Sequence, residues 1–114
     1  MMYYIDSPNT WRAANKKCAE VLEFVNQFRN CLIADELSRD AMITEIRHKV
    51  DLLNQAYPRT KKLVVSTDFN DHLSCFPEGR GAEYENVFII HFLPVRRTYQ
   101  FAETAAVLEK GGAQ

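Results

Sequence analysis

Lys61 to Phe76 reads KKLVVSTDFNDHLSCF, and the way this stretch divides into elements decides the topology of the whole chain. KKLVVSTDF is β-branched and apolar, which predicts a strand, and Asn70-Asp71 predicts a turn because short polar side chains satisfy their own backbone there. HLSCF then predicts a short middle strand, and PEGRG (residues 77–81) a loop. The strongest strand signal follows in NVFIIHFLP, Asn86 to Pro94. On alternating faces, Phe88, Ile90 and Phe92 form a uniformly apolar set that should face helices, while Val87, Ile89, His91 and Leu93 point the other way. If HLSCF pairs between the two long strands, those strands run parallel to each other. If it does not, they pair directly and antiparallel.

Working outward toward the N-terminus, MMYYI predicts an edge strand, and in DSPNTW Ser7 is placed to cap a helix with Pro8 at its first position. Trp11, Ala14, Cys18, Val21, Val25, Phe28 and Leu32 recur at steps of three and four, the register of a helix of roughly five to six turns. Leu22, Phe24 and Cys31 widen its apolar face, which favours a core helix over a narrow dimer seam; self-association is the second reading of that face. In ADELSRD, Ser38 is expected to cap a second helix, whose stripe Ile43, Ile46, Val50, Leu53 and Tyr57 stops at Pro58. The short connection predicts an antiparallel helical hairpin. At the C-terminus, Thr98 would cap a last helix, YQFAETAAVLEK, ended by Gly111 and Gly112. The expected fold is one α+β domain over residues 1–114, a two-layer sandwich with the helical hairpin and C-terminal helix against a small antiparallel sheet, in the order β-α-α-β-(β)-β-α.

A chain of 114 residues with 46% hydrophobic and 25% charged content is long enough to bury a core without metal or disulfide support. The net charge of −1 exerts no global pull on nucleic acid or acidic membranes, so electrostatic recognition has to come from a local patch. Cys18, Cys31 and Cys75 are odd in number and widely spaced, which suits buried thiols in a reducing compartment and predicts a cytoplasmic location. Neither an export signal nor a run long enough to span a membrane is readable, so no membrane association is expected.

Three groups of residues carry candidate chemistry. His91 sits among aliphatic neighbours without a local His, Cys or carboxylate and reads as a structural or interface histidine. Convergence of His72 with His91, joined by Asp68 or Cys75, would make a zinc site, although the spacing matches no common zinc signature. The motifs of hydrolases, kinases and dinucleotide enzymes are missing, so the expectation is no enzyme, no catalytic residues, no metal and no cofactor. The charge layout says more. Arg59, Lys61 and Lys62 precede the first long strand, and Arg96 and Arg97 follow the last. Direct antiparallel pairing would gather these five cations at one sheet end, with Asp68, Asp71, Glu78, Glu83 and Glu85 at the other; a middle strand would split them. Tyr57 and Tyr99 flank the clusters, and Arg80 sits in a GRG loop.

These features predict a small cytoplasmic protein-binding module, an adaptor, regulator or inhibitor of another macromolecule, with a homodimer as one form. Compact chains of this kind without catalytic motifs are common among phage and mobile-element accessory proteins, a class-level analogy. The expected binding residues are Arg59, Lys61, Lys62, Arg96, Arg97, Tyr57, Tyr99 and Arg80. The alternative is a nucleic-acid or nucleotide-phosphate binder using the same basic patch, against which the pI near 6.3 counts.

Overall fold

The computed structural model describes residues 1–6, 13–68, 72–79, 86–95 and 107–108. It shows an α+β fold: strand β1 (Tyr3–Asp6), helix α1 (Lys16–Asn26), β2 (Leu32–Ile33), α2 (Glu36–Ala56), β3 (Leu63–Asp68), β4 (His72–Pro77), β5 (Phe88–Pro94) and β6 (Val107–Leu108). The sheet order is β3-β4-β5-β1-β2-β6. The first five strands in chain order pair antiparallel, and β6 lies parallel to β2.

HLSCF is therefore a full middle strand. Leu63 opposes Pro77 and Asp68 opposes His72, while β4 pairs on its other side with β5 from Cys75↔Phe88 to His72↔His91. The remaining expectations change in several places. β1 is not an edge but lies between β5 and β2. β3 is an edge of the sheet.

Helix α1 starts at Lys16, where the Asn15 side chain accepts the Cys18 N–H at 2.9 Å; Ala13 and Ala14 precede the helix, and the Ser7–Pro8 start lies outside the described residues. The helix stops at Asn26 rather than running on to Leu32. Asn30 takes φ 63°, a left-handed conformation that Asn tolerates, and the chain reverses so that Leu32 and Ile33 pair with β1. The helices are thus separated by a strand instead of forming a direct hairpin. Helix α2 is capped by Asp35, not Ser38: Asp35 Oδ1 accepts the Ser38 N–H at 2.8 Å, which holds the Asp35 carboxyl below its ordinary range. At the C-terminus, Val107 and Leu108 are strand where a helix was expected, paired with the free side of β2; Thr98 and the two terminal glycines lie outside the described residues.

One face of the sheet carries Ile5, Ile33, Leu63, Leu73, Cys75, Phe88, Ile90 and Phe92, all buried. They form a single cluster with Cys18, Val21 and Val25 of α1 and Met42, Ile46, Val50 and Leu53 of α2. The predicted alternation in β5 holds, with one exception. Val87 joins the core because the Cys75 carbonyl accepts the Val87 N–H while Cys75 opposes Phe88, the offset of a bulge. Among the described residues no helix is long and apolar enough to cross a membrane.

Candidate functional site

The middle strand reverses the chain between β3 and β5, so those two strands run parallel and the end of β5 does not lie beside the start of β3. Lys61 and Lys62, both exposed, enter β3 at the end where β5 begins. β5 leaves at the opposite end, where the Val95 N–H bonds the Met2 carbonyl. Glu78 departs from the expected acidic pole: its N–H donates to the Lys62 carbonyl at 2.7 Å, which seats it beside Lys62. Arg80, Arg96, Arg97 and Tyr99 lie outside the described residues. Tyr57 terminates α2 and is half-buried against the core, its hydroxyl donating to the Glu20 carboxylate. That bond raises the Tyr57 pKa and ties the ring to α1.

What the structure builds beside Lys61 and Lys62 is a guarded sheet edge. Since the Lys62 carbonyl points to β4, alternation turns the backbone groups of Leu63, Val65 and Thr67 outward. Two side chains of α2, two turns apart, reach over to them. Asn54 accepts the Leu63 N–H (2.9 Å) and donates to its carbonyl (3.0 Å). Arg47 donates to the Val65 carbonyl (2.8 Å) and to Thr67 Oγ1 (3.4 Å). A cleft runs between helix and edge, lined by Arg47, Asp51, Lys62, Leu63, Val64 and Val65, with Val50 at its floor.

Behind that edge lies a buried cation that the sequence pattern hid. Lys17, 1% exposed, donates from Nζ to Asn54 Oδ1 (2.7 Å) and to the Lys61 carbonyl (2.8 Å), and its burial lowers its pKa. Lys17 and Asn54 together fix the start of β3 and the approach of Lys61. Sequence reading passed over both residues; the available signal was a polar side chain next to each helix's apolar stripe.

The second cluster is the histidine pair. His72 and His91 are directly opposed on β4 and β5, and their rings stack with centroids 5.7 Å apart and planes 24° from parallel. Asp6 opposes His91 on β1 and Asp68 holds the register position opposite His72 on β3, so one cross-sheet row reads Asp-His-His-Asp. Cys75 is excluded from this cluster. It faces the helices at zero exposure, and burial pushes its thiol up to about 12. The Cys18 thiol is pushed up by burial as well, so neither sulfur is poised as a thiolate. Among the described residues no group of three or more His, Cys, Asp or Glu side chains is arranged to hold a metal ion.

Comparison with protein-family models, with curated proteins and with solved structures finds no match for this chain.

Proposed function

We propose that the protein is a binding module, an adaptor, regulator or inhibitor, that takes an extended acidic segment of a partner protein as an added strand along β3. The observation that supports this reading is the edge position of β3 beside a cleft, with side chains of α2 on its outward backbone. Val65 and Thr67 supply backbone groups for pairing, and Val64 and Val65 supply apolar wall. Arg47 is exposed, and one exposed hydrogen bond is worth only about 1 kcal/mol, so an incoming strand can displace it from Val65. The freed guanidinium, with Lys61 and Lys62 and with Arg59 in the preceding loop, then faces the partner's carboxylates, while Asp51 sets a limit on where those carboxylates sit. This reading retains Arg59, Lys61 and Lys62 as binding residues. The reducing cytoplasm remains the proposed location on the strength of three cysteines that form no disulfide.

Selection of a displayed random-peptide library against the protein tests the proposal. Acidic peptides with β-branched residues should emerge and should lose roughly tenfold or more in affinity for Thr67→Pro, which removes an outward N–H that the β3–β4 ladder does not use. Lys61→Glu with Lys62→Glu should weaken the same peptides. Equal binding to the proline variant would overturn strand addition. Selection of no peptide, together with oligonucleotide binding that falls steeply with salt, would replace this reading by the nucleic-acid one.

A further inference from the structure

We infer that the His72–His91 pair is a binding site for a divalent transition ion of the zinc class. The inference stands apart from the β3 edge, because the two histidines belong to β4 and β5. Each ring lies on the face of the sheet turned away from the helices, since Leu73 and Ile90, the next opposed pair, are fully buried in the core on the other face. His91 is exposed and His72 half-buried, so an ion reaches the pair from solvent. The spacing fits the chemistry. Zinc bonds an imidazole nitrogen at about 2.0–2.1 Å, and a tetrahedral angle between two such bonds sets the ring centroids roughly 5 Å apart. The observed 5.7 Å requires only a small approach. Turning a nitrogen of each ring into the gap requires rotation about the last side-chain torsion, a broad one for histidine, and at His72 it also exchanges the interaction that residue already makes.

The flanking residues give the pair its charge and its direction. Asp6, exposed and directly opposite His91, supplies a carboxylate one strand away, and Asp68 holds the corresponding register position beside His72. A carboxylate next to a ligating imidazole can accept the second ring N–H and so fix which ring nitrogen faces the ion. Two protein nitrogens leave coordination positions open to water or to a donor from a partner, unlike a closed four-ligand structural site. A lone histidine on a sheet face carries no such argument. Two in register within an Asp-His-His-Asp row do.

Titration calorimetry with zinc chloride on the full chain measures this, with nickel chloride as a second probe. The expected result is one ion per chain and a rise in melting temperature that chelator reverses. His91→Ala should lower the affinity by roughly tenfold or more, since even the loss of an outer-shell partner costs about 10–100-fold. His48→Ala, on the exposed side of α2, should leave affinity unchanged. Asp6→Asn should weaken binding while both imidazoles remain. Because His91 is exposed, its alanine variant folds, and an unchanged circular dichroism spectrum verifies this. Wild-type affinity in His91→Ala, or no uptake of either ion by the wild type at millimolar concentration, would overturn the inference.

Discussion

The two faces of the sheet are built to different rules. The helix-covered face is nearly uniform: Leu73, Cys75, Phe88 and Ile90 have no accessible surface, and the cluster they belong to is apolar, with the buried Lys17 acting on Cys75 as the exception. The opposite face mixes chemistry at the same register. Asp6, His72 and His91 share a row, Tyr4 bonds Asn30 at 2.6 Å, and Leu93 stands 45% exposed. The uniform face sets the stability, because its contribution scales with apolar area removed from water. The mixed face buries Leu32 and Ser74 but leaves Asp6, His91 and Leu93 exposed, and those positions are free to carry recognition or ligand chemistry. Substitutions should separate the two.

The largest effect belongs to the covered face. Phe88→Ala removes a fully buried ring from the centre of the cluster and should cost about 3–5 kcal/mol in a urea titration, enough to leave a marginal domain unfolded at room temperature. A loss below about 1 kcal/mol would mean that the cluster does not form the core.

Next in size is a pH effect from the same face. The Cys75 thiol has an ordinary value of 9.0 and a folded value of about 12, so the folded state holds its proton more tightly than the unfolded state does. The stability this contributes is complete below pH 9 and is lost as pH rises from 9 toward 12, with a ceiling of about 4 kcal/mol at 1.36 kcal/mol per unit. Lys17 works in the opposite direction: its folded pKa is lowered from 10.5, so its contribution grows as pH rises toward that value. Cys75→Ala should flatten most of the alkaline decline, leaving a smaller slope from Cys18. Denaturation midpoints between pH 8 and 11 measure the difference. An unchanged slope would place Cys75 in contact with water.

Lys17 joins the covered face to the β3 edge. Lys17→Met keeps the length of the stem and relieves the cost of a buried charge, yet it leaves the Lys61 carbonyl without its donor. Those terms oppose each other, and the net expectation is a loss of about 1 kcal/mol, since an orphaned buried acceptor costs about 1–3 kcal/mol. The same variant should increase amide exchange at Leu63, because Asn54 loses the ammonium that holds its carbonyl oxygen in place. Loss of stability without faster exchange there would separate the lysine from the edge.

The covered face was legible in the sequence because burial on one side imposes a period. Phe88, Ile90 and Phe92 at alternate positions, and Ile46, Val50 and Leu53 at helical ones, name the core without any structure. The glycine turn after β4, where Gly79 has φ 84°, was visible for a local reason as well, while the expected turn at Asn70-Asp71 lies outside the described residues. Long-range pairing was not. Leu32 and Ile33 fit a helical stripe as well as a strand, and only the β1 edge they pair with decides between them. The placement of β1 inside the sheet depends on β5, nearly ninety residues away along the chain. The site residues divide the same way. Lys61 and Lys62 are visible in the sequence by their charge, but the partners that give their surroundings a shape, Asn54, Arg47 and Lys17, are polar residues whose role exists only in three dimensions. His72 and His91 were singled out one by one, and their register was conditional on the middle strand.

The smallest expected effect is the control for the whole comparison. Leu93 follows His91 by two residues on the mixed face and is opposed by Tyr4 on β1. Leu93→Ser replaces an apolar side chain already 45% exposed, so little area returns to water and no cavity opens. The change should lie within about 0.5 kcal/mol, an order of magnitude less than Phe88→Ala, although both positions lie on one seven-residue strand. Its register partner Tyr4 is held independently by Asn30, so the neighbouring strand does not depend on Leu93 for its position. Urea titrations of the two variants side by side measure the ratio. Comparable losses at both positions would mean that the mixed face is packed as heavily as the covered one, which would close the route by which solvent ions reach His91.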